Sequence, residues 1–202
     1  HVVLDATKGN IFIDDYALVK MGAFIEGPAY IGKETIINPG SKILGNVSIG
    51  EKCKVGGEVT NSIFQGYTNK QHDGFIGHSF IGEWVNIGAN TNNSNLKNNY
   101  SKVNFNLCNE SEDVKTNKLF LGAMIGDYSR TAISTMLNTG TYIGLGANVF
   151  GHGFQKKYIP SFAWGEDEKV DFSKFLKTIE IIKSRRENKL EEVEIIFLEN
   201  LY

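Results

Sequence analysis

Proline and cysteine are scarce in this chain, positive charge is not in excess, and no long hydrophobic run occurs. Three prolines beside 22 glycines in 202 residues suit a backbone of many tight corners rather than a disordered one. Two cysteines cannot supply a disulfide framework. The formal charge of −2 argues against a nucleic-acid binder, which would carry a basic excess. No apolar stretch approaches the length of a membrane span, and no secretory signal opens the chain, so a cytoplasmic location is expected. Hydrophobic residues at 41% and charged residues at 22% describe an ordinary globular domain, alone or with an appendage. The chain opens on His1 and reads as a piece of a longer polypeptide.

Periodicity is what the sequence has in abundance. Ile13, Val19, Ile25, Ile31, Ile37, Ile43, Ile49 and Val55 fall at every sixth position. Four residues after each comes a small or medium side chain: Ala17, Ala23, Ala29, Thr35, Ser41, Val47, Cys53 and Val59. A period of six fits neither an α-helix nor a simple strand alternation. It is the hexapeptide repeat of a parallel β-helix, in which three hexads build one triangular coil of about 18 residues. Branched and small residues point inward, so Ile13, Ile31 and Ile49 are expected to stack, and Cys53 reads as core. Six or seven coils are predicted.

The regularity breaks twice. After Val55 the frame slips and resumes as Ile63, Phe75, Ile81 and Ile87, with a hexad missing at Asn69 inside the polar run Gln65–Asp73. Broken local rules tend to mark function, so this interruption is a candidate site. After Asn90–Asn95 the repeat vanishes, and the alternating Val103, Phe105 and Leu107 predict a hairpin arm over about 98–118, containing Cys108. Hexads return as Ile125, Thr131, Leu137, Ile143 and Val149. The domain is therefore drawn as 1–151, followed by an irregular segment and a helical cap over 152–202. Stripes at Phe172, Phe175, Leu176 and Ile179, and at Leu190, Val193, Phe197 and Leu201, predict two helices parted near Asn188. Trp84, at a hexad corner, is expected to face outward as an interface aromatic.

His72 leads the candidate chemistry, because an imidazole beside Asp73 and Lys70 can accept a proton near neutral pH. The segment His72-Asp73-Gly74-Phe75-Ile76-Gly77, followed by Val85-Asn86-Ile87-Gly88-Ala89-Asn90-Thr91, resembles the acetyltransferase half of bifunctional sugar-1-phosphate nucleotidylyltransferase/acetyltransferases. Asn95-Leu96-Lys97, the arm, and the restart Leu121-Gly122-Ala123-Met124-Ile125-Gly126-Asp127 keep the motif order of that family's archaeal branch. The ending from Gly151-His152-Gly153-Phe154 to Ile159-Pro160-Ser161-Phe162 is similar to a sugar-nucleotidyltransferase branch of the same superfamily.

The resemblance implies a left-handed β-helix, mainly all-β, assembled as a homotrimer with sites between neighbouring coils. It implies acetyl-coenzyme A as co-substrate and a small sugar as acceptor. His72 would be the general base toward the sugar amine, Asn86 and Asn95 would hold sugar or coenzyme, and Lys97 would supply a cation. Phe75 stands where the bacterial enzymes carry a substrate-binding tyrosine, and Lys70 joins the substrate-binding set. Asn38 and Thr60 occupy or adjoin positions where the family grips a sugar phosphate with cations, so an acceptor other than glucosamine-1-phosphate is expected. His72, His78 and His152 do not reproduce the spacing of zinc-binding β-helical trimers, and no metal is expected. The function expected is acetyl or acyl transfer to an amino sugar phosphate or nucleotide sugar. The alternative is a non-catalytic module that trimerises or regulates a nucleotidyltransferase.

Overall fold

In the computed structural model, which describes residues 1–107 and 113–202, the chain winds into a left-handed parallel β-helix. Three flat faces are each a ladder of two- or three-residue strands. The first runs through Val3–Asp5, Phe24–Glu26, Lys42–Leu44, Glu58–Thr60 and Phe75–Gly77. The second holds eight strands, from Ile11–Ile13 to Tyr158–Ile159. The third opens with Leu18–Val19, Ile36–Ile37, Lys54–Val55 and Asn69–Lys70, then passes through a bridge at Asn86 to Arg130–Thr131, Asn148–Val149 and Ala163–Trp164. Eight rungs exceed the six or seven expected. Tyr158–Ile159 and Trp164 pair with Tyr142–Ile143 and Asn148, so the ladders continue past residue 151.

Ile13, Ile31 and Ile49 stand in register on the second face, with Ile31 and Ile49 fully buried. Each buried isoleucine contributes about 1.5–3 kcal/mol of apolar burial, and branched side chains suit the extended backbone. Cys53 is likewise sealed inside, where burial pushes its thiol up to about 12 and leaves it unreactive at neutral pH.

Beyond Val55 the inward register differs from the one the hexads suggest. The buried positions are Val59, Phe64, Lys70, Ile76, Ile81, Ile87 and Asn93, at spacings of five, six, six, five, six and six. Ile63 and Phe75 therefore lie one residue out of frame: Ile63 pairs with outward Ser48, and Phe75 with outward Glu58. Three shortened corners cause the shift, with four residues from Val55 to Val59 and five from Val59 to Phe64 and from Ile76 to Ile81, and in a strand a one-residue shift turns a side chain to the opposite face.

The arm is a hairpin. Leu96 bridges Phe120 at its root, and Asn104–Phe105 pairs antiparallel with Val114–Lys115. Val103 and Phe105 are buried, and Phe105 meets Tyr142 edge-on at 6.1 Å, so the arm folds back on the second face. Leu107 is exposed, and Cys108 lies outside the described residues.

Helices α1 (Phe172–Ser184) and α2 (Glu192–Leu201) lie along one corner of the solenoid. That corner stacks Tyr67, Trp84, Tyr128 and Phe162, all in the left-handed region with φ of 54°, 58°, 61° and 60°. Bulky residues adopt this backbone at a cost. Here the aromatic column offsets it: Trp84 stacks on Tyr67 at 4.2 Å, and Phe175 of α1 packs edge-on against Phe162 at 5.3 Å. At the same corner Gly146 leaves room for the Phe175 ring, 2.8 Å from where a Cβ would stand. Trp84 does point outward as expected, but α1 covers it, leaving it only 5% exposed and removing it as an interface residue. The second helical stripe also differs from expectation. Leu198 is the buried residue of α2, whereas Val193, Phe197 and Leu201 face out.

Candidate active site

His72 occupies the turn between Asn69–Lys70 on the third face and Phe75–Gly77 on the first. Its side chain is exposed, and its carbonyl is fixed from within. Lys70 reaches that carbonyl at 2.8 Å and the Gly56 carbonyl at 2.7 Å. Lys70 thus extends the inward column of Val19, Ile37 and Val55 and lies 1% exposed, so it cannot contact a substrate at the surface. Desolvation drives its pKa down to about 8, against a partial rise from nearby Asp73. Its ammonium is a buried strut under the His72 turn. The missing hexad at Asn69 was the visible trace of this inward lysine.

Asn93 also points into the core. It accepts from the Gly77 N–H at 2.9 Å and donates to the carbonyls of Gly77 and Ser94 at 3.0 and 3.1 Å. Three of its four hydrogen-bonding positions are filled, which makes its burial tolerable.

At the far end of Phe75–Gly77 lies His78, a left-handed corner residue with φ of 52°. The Asn95 amide Nδ2 meets its Nδ1 at 2.9 Å, and Phe120 from the arm root stacks on the ring at 4.9 Å. Desolvation lowers the pKa of His78 below its ordinary value. The Phe75 ring completes this cluster by lying over Gly77, whose missing Cβ would sit 2.5 Å from it and 2.7 Å from Asn95 Nδ2. His78 was not singled out as a base in the sequence. Its place one hexad after His72 is a signal that could have found it.

The remaining candidates do not converge within one chain. Phe75 lines a cleft of about 280 Å³ with Asp73, Glu58 and Asn92. Lys97 lines one of about 540 Å³ beneath the arm with Lys157, while donating to the Lys102 carbonyl at 2.9 Å. Asn86 faces a third, of about 530 Å³, between the third face and α1. Asn38 donates to the Gln71 carbonyl at 2.8 Å, and the Thr60 hydroxyl to the Leu44 carbonyl at 2.7 Å, so both residues are committed to holding neighbouring coils together. Among the described residues no group of three or more His, Cys, Asp or Glu could hold a metal ion, and no helix is long and apolar enough to cross a membrane.

No family model matches the chain. The bifunctional sugar-1-phosphate nucleotidylyltransferase/acetyltransferase of Sulfurisphaera tokodaii is 34% identical over 145 residues, covering 71% of this chain and 36% of that protein. This chain's homologues are nucleotidylyltransferase/acetyltransferases of this bifunctional kind. The bifunctional protein GlmU of Methanococcus vannielii is 32% identical over 144 residues, or 70% of this chain and 33% of the relative. The chain therefore spans about a third of the length of these relatives. Among solved structures, the polySia-specific acetyltransferase NeuO is 14% identical, covers 84% of this chain and 86% of its own, and superposes with a TM-score of 0.45.

Proposed function

We propose that this chain is the acyltransferase part of a longer sugar-nucleotide biosynthetic protein. It transfers an acetyl group from acetyl-coenzyme A to an amino sugar phosphate or a nucleotide sugar. The observation that carries this reading is the 34% identity to a bifunctional relative over 71% of the chain. In the transfer, the acceptor nitrogen or hydroxyl attacks the thioester carbonyl while His72 takes its proton. The carbon–sulfur bond then breaks, and the coenzyme leaves as a thiol after regaining a proton. A positioned base of this kind accelerates the step by about 10²–10⁴-fold. Lys70 holds the turn that presents His72. Asn86, Asn95, Lys97 and Phe75 bind the two substrates, and the separation of Asn86, Lys97 and Phe75 into three clefts suits a site completed between copies in a trimer.

A second reading, a non-catalytic trimerising or regulatory module, is favoured by one observation. Asn38 and Thr60 offer no cation, and their polar groups are tied to neighbouring coils. Calorimetric titration of the chain with coenzyme A, followed by an acetylation assay across amino sugars, their phosphates and nucleotide sugars, separates the two. Binding and turnover with any acceptor support transfer. Failure of the chain to bind coenzyme A leaves the structural module.

A further inference from the structure

The cavity between the third face and α1 has a one-sided charge pattern. Along the outer side of the third face, Lys54, Asn69, Asn86 and Arg130 stand on successive rungs. Opposite them, the end of α1 brings Arg185 and Arg186. Four cations thus line a space of about 530 Å³ whose lining includes no carboxylate. None of the four forms an ion pair among the described residues. Among the described residues, only Arg186 of the four has a side-chain bond, from its NH1 to the Lys52 carbonyl at 3.0 Å.

Two further observations show that this arrangement is incomplete on its own. The NH2 of Arg130 is buried with no acceptor, and so is Oδ1 of Asn69 with no donor. Leaving a buried donor of a charged group unpaired is costly, and cations crowded together without anions repel one another. The crowding is felt: Lys54 is held below its ordinary pKa by desolvation and then by Arg186 and Arg185. Arginines at a helix C-terminus would be accounted for by the helix dipole alone. That account does not reach Lys54 and Arg130, which belong to the β-helix. The Asn69 Nδ2 bonds Asn86 Oδ1 at 2.9 Å, and rotating both amides by half a turn preserves a bond between them while placing an Asn69 N–H at the unpaired position.

We propose that this cavity is a binding site for a phosphate-bearing small molecule of the diphosphate type, gripped by Lys54, Arg130, Arg185 and Arg186. Guanidinium forks match phosphate oxygens bidentately, and two or three of them facing one another suit a diphosphate better than a single phosphate. The site does not depend on the acyl-transfer reading, although Asn86 borders both. The same chemistry is carried by coenzyme A and by a nucleoside diphosphate sugar.

The test is calorimetric titration of the full chain with inorganic pyrophosphate, in the absence of any acyl donor. Saturable binding is expected, weakened about tenfold or more in Arg130→Gln and in Arg185→Gln, and unchanged in the distant surface variant Lys8→Gln. Arg185 is exposed, so its variant tests the site without threatening the fold. Trp84 lines the cavity, and a change in its fluorescence on saturation gives an independent readout. Competition by pyrophosphate against coenzyme A assigns the site to the acyl donor, and against uridine diphosphate to the acceptor. The proposal is overturned by absence of saturable pyrophosphate binding, or by both arginine variants binding as tightly as the wild type.

Discussion

The coils from Phe24 to Val55 and those from Glu58 to Asn93 share one architecture but have different interiors. In the first, every bulky inward position is isoleucine or valine, with Ala29, Thr35, Ser41, Val47 and Cys53 in the small inward slots, and every strand falls in one frame. In the second, the columns admit Lys70 and Asn93, and two corners lose a residue. The backbone ladder tolerates both, because parallel pairing needs only aligned N–H and C=O groups. What changes is what the coils can do. Regular columns of branched side chains give stability, whereas an inward ammonium and amide fix the carbonyls of His72, Gly77 and Ser94 and so the corners that carry candidate chemistry.

One pair of substitutions should separate these roles. His72→Ala is expected to lower acetyl transfer by about 10²–10⁴-fold, with coenzyme A binding and thermal stability close to wild type, because its side chain is exposed and makes no described bond. Full activity in this variant would move the base elsewhere, with His78 the next imidazole along the same strand. Ile31→Ala, in the regular coils, should do the reverse. It should cost about 2–5 kcal/mol of stability through the cavity it leaves, read by denaturant unfolding, while the surviving folded protein keeps its affinity for coenzyme A. A loss below about 1 kcal/mol would mean that the stacked columns relax far more than a packed interior should.

The regular coils were fully legible in the sequence because each inward residue was both branched and in step. The slipped coils were legible only as a disturbance. The hexad rule points Phe75 inward, yet Ile76 is the residue that turns in. Nothing local marks a five-residue corner, since the same residues also fit a six-residue frame with one gap. Lys70 sat in the gap itself, and a lysine is the residue least expected to point into a core. Trp84 was correctly assigned to a corner, but the helix covering it comes from residues roughly a hundred positions later, and no periodicity reports such a contact. The cavity cations escaped notice for the same reason: Lys54, Arg130 and Arg185 meet only once the third face and α1 are placed together.

The inward lysine itself can be tested by pH. In the unfolded chain its pKa is the ordinary 10.5, and in the fold burial lowers it to about 8. Between those values the unfolded state binds more protons, so this group makes stability rise with pH through that window. Below about pH 8 both states are charged and the penalty of burying the ammonium is constant. Stability of the wild type relative to Lys70→Met should therefore increase by about 2–4 kcal/mol from pH 8 to 10.5, measured by urea unfolding of both proteins. A flat difference would show that Lys70 stays as readily protonated inside as outside, and the buried strut would lose its electrostatic basis.

The smallest effect is expected at the arm root. His78 lies below the ordinary histidine pKa because water is kept from its ring. The Phe120 ring stacked at 4.9 Å is one screen, and Asn95 at Nδ1 is the other contact. Phe120→Ala removes the screen but keeps the hydrogen bond, so the charged imidazolium regains hydration and the pKa should move up toward 6.5. Phe120 is itself partly exposed, so the fold should hold. The titration is followed by the ring resonances of His78, with Asn95→Ala as the companion variant. If Phe120→Ala leaves the midpoint in place while Asn95→Ala raises it, the amide and the coil wall exclude the water, and the arm is only a neighbour of this corner. Movement in Phe120→Ala would instead make the arm part of what sets the protonation state of the slipped coils, a control that the regular coils, with no arm over them, do not have.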